Sequence, residues 1–292
     1  MSDTFVPFNF LGISPEKSAP EKARYSIVPV PYAGTVTYGV GTRHGPLAII
    51  AASREVETFD AESGVDLFDL GIHTLPEVMP VAAGPEKMAE RVEEVIAAEL
   101  AAGRTPIMLG GEHSITAGAV RAFSKQYPRL SVLQIDAHLD LRDAYQGSPY
   151  SHASVMRRVR EVCPHVAVGP RNCSAEEKQY IDEKNIPVFW AKDIVGKQDW
   201  YQRCLANLPA EVYLTVDLDG LDPSVMPAVG TPEPGGLGWY ETLSFLRFVF
   251  GNRRIVGADV VELAPIPGVH YPDFTAAMLV AAIIRLMHLS AK

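Results

Sequence analysis

The chain has 292 residues, 47% of them hydrophobic, a length and apolar share that fit one α/β domain with a large core. With 26 basic and 35 acidic residues the formal net charge is −9, and the absence of a Lys/Arg cluster argues against a nucleic-acid surface; no membrane-spanning segment is expected either. Cys163, Cys173 and Cys204 show no C-x-x-C spacing and cannot all pair, which points to free thiols in a reducing, cytoplasmic compartment.

Residues 1–23, broken by Pro7, Pro15 and Pro20, read as an N-terminal arm. Its Phe5, Phe8, Phe10 and Leu11 are apolar enough to dock on the body or on a neighbouring subunit. Residues 24–292 read as one further unit, opening with a strand from Tyr25 to Val30. A glycine-rich loop from Pro31 to Pro46 follows, and Pro46 suits the first turn of a helix running to Arg54. That loop is either a wall of a functional site or a place where glycine permits close packing. From 85 to 102 the spacing of Met88, Val92, Val95, Ile96 and Leu100 predicts an amphipathic helix, with Gly103 beyond its end. Strand 105–109, helix 114–127 and strand 131–135 come next, then strand 166–168, helix 175–183, strand 188–190, helix 200–208 and strand 212–216. Apolar segments at 239–250, 255–261 and 274–288 complete the chain. The alternation of strand and helix predicts a single three-layer α/β/α domain with a mostly parallel, doubly wound sheet, its site at the carboxyl ends of the strands.

Three of those strands end in side chains that bind cations. The run 130–135 leads into Asp136-Ala137-His138-Leu139-Asp140, and if it continues as strand, the period of two aims Asp136, His138 and Asp140 at one point. The run 212–216 leads into Asp217-Leu218-Asp219, and strand 105–109 leads through Gly110-Gly111-Glu112 to His113. One such ending is ordinary, but three are not. Four carboxylates around one point exceed what one divalent ion balances, so the six residues predict a binuclear centre. Mixed imidazole and carboxylate donors without cysteine suit Mn²⁺, with Ni²⁺, Co²⁺ or Zn²⁺ also possible.

These three blocks, with Asp222-Pro223 after the third, resemble the signature blocks of the ureohydrolase family of arginases and agmatinases, in the family's order. The resemblance spans roughly residues 25–288 and implies an arginase-like fold, a manganese pair, a cationic guanidino substrate, and homotrimers or homohexamers. It also makes residues 24–292 the catalytic domain. Carried over residue by residue, it implies that Asp136 and Asp217 bridge the ions, that His113 and Asp140 complete one and that His138 and Asp219 complete the other. Metal coordination lowers the pKa of water, which would provide a nucleophile for the resonance-stabilised guanidinium carbon. Glu262, at the end of strand 255–261, matches the family glutamate that grips the guanidinium. His152 matches the family histidine that hands a proton to the leaving amine. Asp259 is open between a supporting and a structural role, and His44, His73, His165, His270 and His288 are expected to be structural or solvent-facing.

The substrate is narrowed by what is missing. Arginases hold the α-carboxylate with Asn-Thr-Pro after the second block, where this chain has Leu141-Arg142-Asp143-Ala144-Tyr145. The acid that would meet the α-amino group is replaced by Ser174. Pro31-Tyr32 and the stretch 39–46 look more like agmatinases. The expectation is therefore agmatine hydrolysis to putrescine and urea. The alternatives are guanidinobutyrate, arginine or formiminoglutamate as substrate, with Arg142 as a possible anion contact, or a metal-stabilised binding protein without turnover.

Overall fold

In a computed structural model, whose described residues are 5–291, the apolar runs become one parallel sheet wrapped by helices on both faces. The chain forms β1 (Tyr25–Val30), α1 (Gly45–Ser53), a small hairpin of β2 (Phe59–Asp60) and β3 (Val65–Asp66), and β4 (Ile72–Thr74). It continues through α2 (Pro85–Ala101), β5 (Thr105–Gly110), α3 (Thr116–Gln126), β6 (Leu130–Ile135), α4 (Val155–Val159), β7 (His165–Val168) and α5 (Ala175–Lys184). It closes with β8 (Val188–Phe189), α6 (Ala191–Ile194), α7 (Tyr201–Leu205), β9 (Glu211–Asp217), α8 (Trp239–Phe250), β10 (Arg254–Val261) and α9 (Tyr271–Ser290).

The eight-stranded sheet has the order β4-β1-β5-β10-β9-β6-β7-β8, and every pairing in it is parallel. Such sheets are covered on both sides, which is why β1 and β6 are buried along their whole length and carry unbroken apolar runs rather than alternation. One face packs α1, α7, α8 and α9 through Ile49, Cys204, Phe245 and Leu279. The opposite face packs α2, α3, α4 and α5 through Met88, Val120, Val155 and Ile181. The three-layer expectation is met, and the sheet is wholly parallel.

Register decides where the site lies. Val260 of β10 pairs with Leu109 of β5 and with Val216 of β9, and Val216 pairs with Ile135 of β6. The carboxyl ends of four central strands therefore stand side by side, and the residues that follow them share one rim.

Several expectations are corrected. The hairpin β2–β3, edge strand β4 and the short helices α4 and α6 lie in stretches too brief for a periodic signal. Helix α9 is 20 residues long and apolar enough by length and composition to cross a membrane, against the expectation that no such stretch exists. Ala276, Ala277, Val280, Ile283, Ile284 and Met287 of this helix are nevertheless buried in the core, as in a core helix of a folded domain. Before β1, Phe10, Leu11 and Ile13 are buried in the same core, and Leu11 N–H donates to Ser53 Oγ at 2.8 Å. Phe5 and Phe8 of that segment are exposed.

Candidate metal centre

Asp136 is the first residue past β6, and the strand does not continue through it. Asp136 Oδ1 accepts the His138 N–H at 2.6 Å, a side-chain turn that bends the chain at once. Asp140 then sits at φ 52°, a left-handed conformation that a non-glycine residue adopts at a cost of order 1 kcal/mol. The convergence of Asp136, His138 and Asp140 thus comes from a turn and a strained residue, not from strand alternation. Asp217 is the last residue of β9, and its Oδ1 accepts Asp219 N–H at 2.9 Å, which folds the next three residues into a 3-10 turn and brings Asp219 back.

His113 arrives from β5 through a tight turn. A Cβ at Gly111 would lie 1.9 Å from Tyr32 O, so only glycine fits where the two strand exits cross, with Glu112 N–H donating to Tyr32 O at 2.8 Å. The His113 ring is buried, and its Nδ1 stands 3.2 Å from Asp136 Oδ2, 3.1 Å from Asp140 Oδ2 and 3.3 Å from Asp217 Oδ2. Across Asp136, His138 Nδ1 lies 3.6 Å from Asp136 Oδ1 and 3.0 Å from Asp219 Oδ2. All six sequence-expected ligands are therefore gathered. Two groups, His113-Asp136-Asp140 and Asp136-His138-Asp219, each present donor atoms within 4.8 Å of one another, and Asp136 belongs to both. Asp217 touches the first group, while its second oxygen is taken by the Asp219 amide.

The donors fit divalent cations. His113 Nδ1 is a buried polar atom with no hydrogen-bond partner among the described residues, although three carboxylate oxygens surround it. Its other nitrogen, Nε2, lies 2.9 Å from Thr215 Oγ1, whose hydroxyl donates to Asp259 Oδ1 at 2.6 Å. Thr215 must then accept from Nε2–H, which leaves the Nδ1 lone pair facing the carboxylates. Asp259 also accepts from Tyr213 and Thr116, so the residue left open by sequence is the anchor of this support. On the other side, His138 Nε2 is 3.1 Å from Glu233 Oε1, and Gln134 Nε2 donates to Asp136 Oδ2 at 2.8 Å.

Crowded negative charge shows in the proton affinities. Burial, and then the Asp136 charge, push the Asp140 carboxyl up to about 7. Burial, with Asp219 and Asp136, also holds Asp217 well above the usual carboxylate range. Burial alone would lower the His113 and His138 imidazoles, but neighbouring carboxylates outweigh it and raise both. Asp136, despite burial, is held low by those two rings. The centre attracts positive charge, and mixed oxygen and nitrogen donors without thiolate suit a hard to borderline divalent ion.

Above this floor opens a cavity of about 330 Å³ lined by Tyr38, Arg142, Tyr145, His152, Ser174 and Glu262, among others. Glu262, at φ 68°, turns out of β10 and accepts His113 N–H through Oε1 at 2.6 Å. Burial, then the Glu112 charge, raise its carboxyl well above the ordinary value. Both readings of the glycine-rich loop hold. Val36, Thr37 and Tyr38 line the cavity, and a Cβ at Gly39 would lie 2.6 Å from Gly230 O. Ser174 Oγ and Glu177 form the capping box of α5, and Glu177 Oε1 also accepts Leu141 N–H. Glu177 also lines the cavity, with both carboxylate oxygens already accepting these hydrogen bonds. Of the remaining histidines, His165 is buried and His73 is bonded to Ser18 O.

Sequence reasoning missed Glu112, Thr35, Glu233, Asn172 and Gln134. Gln134 carried a signal, since a polar amide inside an otherwise apolar strand needs a partner. Thr35 and Glu233 carried none, because each meets its partner across a distant part of the chain.

A sequence model of the arginase family matches residues 23–289. An N(1)-aminopropylagmatine ureohydrolase from Synechocystis sp. is 43% identical over 87% of this chain and 85% of its own length. An agmatinase from Pyrococcus horikoshii is 35% identical over 90% of this chain and 92% of its own. The crystal structure of the agmatine ureohydrolase of Thermoplasma volcanium superposes with a TM-score of 0.84 at 30% identity, covering 98% of this chain and 96% of that one.

Proposed function

The chain belongs to the arginase family, and on that premise we propose that it is a binuclear manganese ureohydrolase acting on agmatine, free or carrying the N(1)-aminopropyl extension named for its relatives. The products are urea and the corresponding amine. The observation that carries this reading is the union of the two ligand groups through Asp136 at the floor of a cavity that also holds His152 and Glu262. Arginases hold the arginine α-carboxylate with an Asn-Thr-Pro stretch where this chain has Leu141-Arg142-Asp143, and agmatine, which is arginine without that carboxylate, needs no such contact.

His113, Asp136, Asp140 and Asp217 would hold one ion, and Asp136, His138 and Asp219 the other, with Asp217 also proposed as shared. When bound, the ions supply an activated water at neutral pH. The rest falls to the chain. Glu262, with Oε1 pinned by the His113 amide, offers Oε2 to the substrate guanidinium, and that cation offsets the burial that otherwise favours the neutral carboxyl. His152, at the cavity wall, delivers the proton to the departing amine. The three cysteines are free thiols, which supports a cytoplasmic setting.

Urea release from Mn²⁺-loaded protein, assayed with agmatine, N(1)-aminopropylagmatine, arginine and 4-guanidinobutyrate, tests the proposal. Preference for the two agmatine-type amines is expected. Preference for arginine or guanidinobutyrate overturns the substrate reading and makes Arg142 an anion contact. Metal uptake without urea from any of the four overturns the enzymatic reading in favour of a binding protein.

A further inference from the structure

Behind His152 lies a chain of hydrogen bonds that the metal centre does not use. Glu112 is buried, and its carboxylate accepts from Thr35 N–H at 2.6 Å, from Thr35 Oγ1 at 2.7 Å and from Ser114 Oγ at 2.5 Å. Thr35 Oγ1 in turn accepts His152 N–H at 3.0 Å and lies 3.2 Å from His152 Nδ1. These contacts join residues 77 and 117 positions apart in the chain, so the fold, not local sequence, assembles them.

A hydroxyl has one proton and two acceptor sites. A carboxylate only accepts, so the Thr35 proton goes to Glu112. One acceptor site is filled by the His152 amide. The other faces Nδ1, and since the hydroxyl has no second proton to give, Nδ1 must be the donor. The neutral ring is thereby held with its hydrogen on Nδ1 and its lone pair on Nε2, across the ring. A proton taken up and released by this imidazole therefore passes through Nε2. The Tyr145 ring packs against the imidazole in a T-shaped contact at 5.9 Å between centroids, and Arg142 lies over Tyr145 at 5.0 Å, which further restrains the imidazole. Burial lowers the His152 imidazole below its ordinary value, while the Glu112 charge pulls in the opposite direction.

We infer that Thr35 and Glu112 are positioning residues for His152: they fix its tautomer and place a negative charge behind the imidazolium, so that Nε2 carries the proton to the leaving amine. The inference rests on the reading of His152 as proton carrier. Loss of a positioned general acid costs about 10²- to 10⁴-fold in turnover, so partial misplacement is expected to cost less.

The test has two arms. In the first, full-length protein labelled with ¹⁵N-histidine and loaded with diamagnetic Zn²⁺ reports the His152 tautomer by NMR, assigned through His152→Ala. Hydrogen on Nδ1 is expected in the parent and in Thr35→Ser, with the preference lost in Thr35→Val. Hydrogen on Nε2 in the parent overturns the inference without any reference to turnover. In the second arm, Mn²⁺-loaded variants are assayed with agmatine. Thr35→Val and Glu112→Gln are expected to lower kcat about 10- to 100-fold, with KM within about twofold and metal content unchanged. Thr35→Ser is expected to restore kcat to within about threefold. Full kcat in Thr35→Val, where His152→Ala has lost it, overturns the inference alone. Full kcat in His152→Ala overturns the proton-carrier reading and the inference with it.

Discussion

At the carboxyl end of the sheet, His113 is buried with Nδ1 between 3.1 and 3.3 Å from three carboxylates, and its imidazole is raised well above the ordinary value. At the amino end, His165 opens β7 and is just as buried, with neither ring nitrogen partnered among the described residues. Burial, aided by the Arg160 charge, lowers its imidazole to about 3. Equal burial of the same side chain has opposite consequences because carboxylates surround the ring at one end of the sheet, whereas at the other burial is joined only by the Arg160 cation. A parallel sheet makes this division natural, because sites in such folds gather at the carboxyl ends of the strands.

Substituting Asp136 breaks the comparison most severely, because it removes the carboxylate common to both ligand groups. Asp136→Ala is expected to lose both ions and bring urea release to background, read by metal analysis and assay on the same sample. Undiminished metal content would remove Asp136 from its shared role. Asp259→Asn acts one step back. It turns one of the two acceptor oxygens into an NH₂ donor, so the hydroxyls of Thr215, Tyr213 and Thr116 can no longer all donate to it and the orientation of Thr215 and His113 is loosened. Metal affinity is expected to fall about 10- to 100-fold in chelator competition, with the fold intact by circular dichroism.

His165 sharpens the other side. Its folded-state pKa of about 3 lies below the ordinary 6.5, so the folded chain binds fewer protons than the unfolded chain between those values. Stability from this group is complete above pH 6.5 and is lost as pH falls, by about 1.4 kcal/mol per unit. His165→Leu is expected to flatten the acid limb, losing about 2 kcal/mol less than the parent between pH 6.5 and 5, measured by urea melts. Parallel acid limbs in the two proteins would show that His165 does not titrate alone. The smallest effect is expected at Glu233, which meets His138 Nε2 and Asn172 from a partly exposed position. Glu233→Gln is expected to weaken metal binding about tenfold or less, with the loss confined to one of two ions in a stepwise titration.

The same division explains what the sequence made legible. Long apolar runs announce buried strands on both sides, so β1, β5, β6, β9 and β10 could be placed to within a residue or so. Asp136, His138, Asp140, Asp217, Asp219 and His113 were legible as candidate ligands because each lies within a few residues of such a run. How they converge was not. The left-handed Asp140 and the turn closed by Asp136 Oδ1 obey local backbone chemistry that strand alternation does not describe. Asp259 stood out as an acid in an apolar strand, but its acceptance of three hydroxyls depends on β9 and α3 lying beside β10. Thr35 and Glu233 are ordinary loop residues until the sheet order brings β1 and β9 exits to the rim of β5 and β6.

The most direct measurement is a Mn²⁺ titration of the metal-freed chain followed by electron paramagnetic resonance. Two ions per chain with a spin-coupled signal are expected if Asp136 joins both groups into one centre, together with collapse of that signal in Asp136→Ala. One ion per chain, or two ions with the six-line signal of isolated Mn²⁺, would contradict the binuclear centre and with it the ureohydrolase mechanism.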